Sequence, residues 1–61
     1  MMATIIKNVT REAAVYNVPG AGAVHLPPGG ESQPLEVTDL GPEIRQAMRR
    51  RPALVSVRTA P

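Results

Sequence analysis

Sixty-one residues with 7 basic and 5 acidic side chains, a net charge of +2, one His and no Cys allow a single domain, 1–61, with neither disulfides nor a structural metal to brace it. No stretch approaches the roughly 18 consecutive apolar residues of a membrane-spanning helix, and the N-terminus lacks a basic region followed by an apolar run and a small-residue cleavage site. The expectation is a protein that is neither embedded in a membrane nor exported by that route.

Hydrophobic residues make up 43% of the chain, yet Tyr16 is the only aromatic, so the core must be assembled from Val, Leu, Ile, Met and small Ala side chains. A core of this size supplies no more than about 3–5 kcal/mol, and a chain this short buries only about 60% of the surface its unfolded form exposes. With seven prolines and five glycines also breaking up long elements, association with neighbours is the expected route to stability.

In chain order, Thr4–Val9 has the β-branched enrichment of a strand, and Ala14–Val18 that of a second. Pro19-Gly20-Ala21-Gly22 predicts a turn, Ala23–Leu26 a short strand, and Pro27-Pro28-Gly29-Gly30 another turn, with Pro28 and Gly29 suited to the centre of a type II bend. Gln33–Thr38 alternates polar and apolar, placing Leu35 and Val37 on one face, and Pro34 confines this strand to an edge. The segment 18–34 reads either as two turns flanking a short strand or as an extended Gly/Pro-rich arm.

One helix is expected, from about Pro42 to Arg50, capped by Asp39 or Gly41, with Pro42 in the first turn where a missing N–H costs nothing. Leu40, Ile44, Ala47 and Met48 would form its apolar stripe. Pro52 disfavours α geometry at Arg51, after which Ala53–Arg58 reads as a last strand. The predicted fold class is α+β, mainly β: a small antiparallel sheet or partial barrel of four to five short strands with one short helix.

Little in the chain supports catalysis. His25 and five scattered carboxylates offer no metal-ligand spacing, and Ser32 or Ser56 with His25 and Asp39 form no pattern that a nucleophilic triad would need. Gly20-Ala21-Gly22 lacks both the third glycine of a dinucleotide loop and the lysine of a phosphate loop. The expectation is that the chain is not an enzyme, with no cofactor, no metal and no small-molecule substrate. Two features invite binding instead. Val24 and Leu26 alternate with His25, so both can enter one partner surface. Arg49, Arg50 and Arg51 form a cationic run at a helix end, able to meet phosphates or carboxylates, although positive charge there also complements the helix dipole.

The opening Ile6-Lys7-Asn8-Val9, the turn Leu26-Pro27-Pro28-Gly29, the strand Leu35-Glu36-Val37 and the helix Pro42 to Arg50 followed by Leu54-Val55-Ser56-Val57 together resemble, in layout, small accessory proteins of tailed bacteriophages. That resemblance covers most of the chain and carries no functional residue over. It implies a structural virion protein, assembled in the host cytoplasm, that binds a capsid or tail lattice as a decoration, cement or minor component. The expected partners are major capsid or tail proteins and further copies of the chain itself. The alternative is a small nucleic-acid-binding or regulatory module acting through the C-terminal arginines. The residues singled out for partner binding are Val24, Leu26, Arg49, Arg50 and Arg51.

Overall fold

A computed structural model describes residues 2–60, which form five elements: β1 (Ala3–Asn8), β2 (Ala14–Val18), β3 (Gly22–Leu26), α1 (Gly41–Arg49) and β4 (Val55–Ala60). The α+β, mainly β class holds. The strands form two separate antiparallel pairs, β1 with β4 and β2 with β3, and the described residues form no closed barrel.

The hairpin β2–β3 turns where Pro19 presets one backbone angle and Gly20 takes φ +85°, and the Ala21 N–H closes the turn on the Val18 carbonyl at 2.9 Å. The same device recurs after β3, where Pro28 and Gly29 (φ +69°) sit inside a Pro27–Gly30 hydrogen bond of 2.9 Å. Of the two readings of 18–34, the chain therefore adopts the first: residues 22–26 are paired with β2, and the stretch is not an extended arm.

Residues 30–35 return alongside β1, on the side opposite β4. Leu35 and Thr4 exchange backbone hydrogen bonds at 2.8 and 2.9 Å, Ser32 N–H donates to the Ile6 carbonyl at 2.7 Å, and Asn8 N–H donates to the Gly30 carbonyl at 2.9 Å. The pairings Thr4 with Leu35 and Lys7 with Glu31 enclose one more residue on the outer segment than on β1, which is a bulge. At this bulge the Ser32 side-chain oxygen accepts the Ile6 N–H at 3.0 Å, standing in for a backbone carbonyl. The strand expected at Gln33–Thr38 is thus shifted towards 30–35 and reduced to two bridges. Pro34 has no N–H to donate, and the bulge interrupts the ladder.

β1 is consequently the central strand. Its Ile6 joins Val18, Leu26, Ile44, Ala47 and Val55 in the buried core, with Tyr16, Val24, Leu35, Val37, Leu40, Leu54 and Val57 packed around them. The helix contributes Ile44 and Ala47, one turn apart, but Met48 is 41% exposed and belongs to no part of this cluster, contrary to the expected stripe. A nine-residue helix resting on β2 and β4 presents only a narrow contact face, and Met48 lies beyond it. The helix also starts one residue early and without a side-chain cap at Leu40; Asp39 instead accepts the Gly41 N–H at 3.0 Å. The last strand begins at Val55 rather than Ala53, because Leu54 N–H is bonded to the Ala47 carbonyl at 3.0 Å and keeps the chain in the turn.

On the other face of β1, Ala3 and Ile5 are also buried. Arg58 lies opposite Ile5 on β4, and Glu31 lies opposite Lys7 on the far side of β1, so their ion pair at 3.3 Å crosses the central strand on this face.

Candidate functional site

Two short sheets leave several strand edges, and the parity of the hydrogen bonds identifies the groups on each. Thr4, Ile6 and Asn8 direct their backbone groups to residues 30–35, so Ala3, Ile5 and Lys7 direct theirs to Ala60, Arg58 and Ser56 of β4. It follows that Val55, Val57 and Thr59 turn their N–H and C=O groups away from β1. Among the described residues, Val57 and Thr59 find no backbone partner there. By the same logic, Val15 and Asn17 face outward from β2, and Ala23 and His25 outward from β3.

The β2 edge is already occupied at Asn17. Glu43, in the first turn of α1, accepts the Asn17 N–H at 2.9 Å with one carboxylate oxygen and the Asn17 side-chain amide at 3.1 Å with the other. These bonds, the backbone one first, hold the Glu43 carboxyl below the usual carboxylate range. Asp39 is lowered in the same direction, chiefly by the Gly41 N–H and then by the Arg45 charge. A carboxyl depressed in the folded state contributes stability that is present above its unfolded pKa and disappears as pH falls through the folded value. Urea midpoints are therefore expected to drop between pH 7 and pH 3, and to drop less in Glu43→Gln. An equal drop in that variant would mean that the bridge to Asn17 adds nothing.

The residues singled out for partner binding are distributed between core and surface. Val24 and Leu26 do share one face while His25 points out, but the surface they enter is the chain's own core: Leu26 is 1% exposed and Val24 is half-buried. Leu26 is not available to a partner. Arg49, Arg50 and Arg51 are all exposed, and none is paired with a carboxylate among the described residues, whereas Arg45 is held by Asp39 and Arg58 by Glu31. Arg50 lines an open groove of about 310 Å³ between α1 and β2, together with Val15, Tyr16, Gln46 and Leu54 among others. A second groove of about 310 Å³ separates the β3 edge from residues 31–35, with His25, Glu31 and Gln33 on its walls. The described residues contain no cluster of three or more metal-ligating side chains, and no helix among them is long and apolar enough to cross a membrane.

Sequence reasoning missed the open β4 edge, because which backbone groups face outward depends on which neighbour each residue of β1 selects. It also missed Asn8 as the polar centre of the fold. No protein-family model, no curated protein and no solved structure matches the chain. What it does has to be inferred from its own surfaces.

Proposed function

We propose that the chain is a structural virion protein that adheres to a capsid or tail lattice through its strand edges. The observation that carries this reading is the unpaired outer edge of β4, where Val57 and Thr59 present backbone donors and acceptors with no partner among the described residues. Edge pairing gives main-chain hydrogen bonds to any extended neighbour, and side chains alternating along the strand set its register. The thin core supports the same reading: among the described residues its main cluster holds six buried side chains, none aromatic, which makes a module whose stability benefits from being completed by neighbours.

Particles purified from the virus whose genome carries this gene are expected to contain the chain in a fixed ratio to the capsid or tail subunit, retained through high-salt washing. Trace amounts that vary between preparations would overturn the reading.

A second reading is favoured by one specific observation, the three exposed arginines at the end of α1, none of which is paired with a carboxylate among the described residues. If they meet phosphates of duplex DNA, log affinity should fall with log salt at a slope of about −0.9 per phosphate contacted, hence near −3 for the trio. Replacing all three by Gln would flatten that slope. No measurable affinity for DNA at low salt would dismiss nucleic acid as the partner.

A further inference from the structure

We propose that the outer edge of β4 pairs antiparallel with the same edge of a second copy of this chain, joining two copies into one continuous sheet. This rests on the reading of the chain as an associating module, but not on any particle.

The case comes from comparing the edges. Exposed strand edges in monomeric proteins are usually blunted by proline, bulges, charged side chains or a covering element. Here the β2 edge is capped at Asn17 by the Glu43 carboxylate, which leaves only Val15 outward on that short strand. The edge formed by residues 31–35 carries Pro34 and the bulge at Ser32. β3 faces that segment across a groove. β4 has none of these devices. It contains no Pro, no Gly and no bulge between Val55 and Ala60, and its pairing with β1 is regular throughout. Its one charge, Arg58, is turned back across β1 onto Glu31 rather than left on the edge.

The charge distribution selects the direction of pairing. Arg49, Arg50 and Arg51 lie just before β4 in the chain. Parallel pairing would set the two arginine runs side by side. Antiparallel pairing sends them to opposite ends of the joint sheet, where repulsion between them is screened. Antiparallel pairing of identical edges is also closed by a two-fold axis, so both copies use the same residues and no further edge of this kind is left open. Val55 is almost fully buried beside the helix, which leaves Val57 and Thr59 as the residues that pair. A contact of so few hydrogen bonds falls in the smallest class of interfaces, and the dimer should be weak.

The test uses the purified full chain at concentrations from roughly micromolar to millimolar, the range in which weak association is populated. Light scattering should show the mass rising from 6.5 kDa towards about twice that value as a two-fold dimer forms. Amide hydrogen exchange by NMR should slow at Val57 and Thr59 as concentration rises, with no change at Ser56 and Arg58, which β1 already protects. Thr59→Pro removes an outward-facing N–H that makes no bond among the described residues, so this variant should keep the wild-type amide spectrum away from β4 and stay monomeric. Exchange at Val57 and Thr59 that is independent of concentration, or a dimer whose protection appears at other strands, would overturn the proposal. Should Thr59→Pro not fold, the wild-type exchange data decide alone. A monomer throughout would leave the lattice reading standing, and absence from particles would leave the dimer standing, so the two fail separately.

Discussion

Replacing Asn8 by Leu is expected to leave the chain largely unfolded at 25 °C. Asn8 is 1% exposed, and its amide nitrogen donates to the carbonyls of Glu12 at 2.7 Å and of Leu26 and Pro27 at 3.2 Å each. Its side-chain oxygen accepts from the Thr10 N–H at 2.9 Å and the Thr10 hydroxyl at 2.7 Å. One side chain thus fastens the end of β1 to the loop before β2 and to the exit of β3, and it closes the gap between two sheets that share no strand. Leucine fills a similar volume but satisfies none of these groups, and the Leu26 carbonyl is too buried to turn to water. Each stranded buried group costs about 1–3 kcal/mol, so the loss should be about 3 kcal/mol or more. That is comparable to the whole margin of about 3–5 kcal/mol available to so small a core. Asn8→Asp separates chemistry from volume: the shape and the acceptor for Thr10 are kept, but an anion replaces the donor facing three carbonyl oxygens. It should be at least as damaging as Leu. Circular dichroism melts would reveal both effects, and a cooperative wild-type melt in either variant would mean that the two sheets are held together by apolar contact alone.

Gly41→Ala is expected to cost about 3 kcal/mol, from two sources that can be separated. Gly41 opens the helix at φ +90°, where an L side chain is disfavoured by roughly 1–2 kcal/mol. A Cβ there would also stand 2.6 Å from Cδ and 3.1 Å from Cγ of Pro19, so the ring that forms the β2–β3 turn would have to move. Forced overpacking of this kind typically costs about 1–3 kcal/mol. Gly22 supplies the control, since it has φ +72° but nothing within 4 Å of the position a Cβ would take. Gly22→Ala should therefore register only the backbone cost, about 1–2 kcal/mol. The gap between the two urea midpoints measures how tightly the helix start is seated on the hairpin turn. Equal losses in both would show that the Pro19 contact yields without resistance.

The parts of the fold written in local chemistry were legible in the sequence. Pro19-Gly20 and Pro28-Gly29 specify their turns within four residues, and Pro42 with the Ile44 and Ala47 spacing marks the helix. What was not legible depends on partners far away in the chain. Nothing local to Ile5 and Ile6 says that β1 is the central strand, flanked by β4 and by residues 30–35. Ser32 drew notice only as a nucleophile, and its use as a substitute carbonyl requires knowing where Ile6 lies. Met48 satisfied helical spacing, but spacing cannot tell how wide a contact the sheets offer. The same limit applied to binding residues. The alternation of Val24 and Leu26 was read correctly, whereas the surface they bury against could be assigned only once Leu26 was seen inside the core.

The placement of β1 also orders the events of folding. The hairpin β2–β3 needs only a three-residue loop, Pro19 to Ala21, to bring its strands together. The pairing of Ala3 with Ala60 must bridge nearly the whole chain. Loop closure becomes costlier with length, and long-range pairing is slow for that reason, so the hairpin should form on a microsecond scale, well before β1 finds β4. During that interval Ile5 and Ile6 are unprotected, side by side in a segment rich in β-branched residues. Early species should therefore be the sticky ones, and the yield of refolding should fall with chain concentration even where the finished protein is soluble.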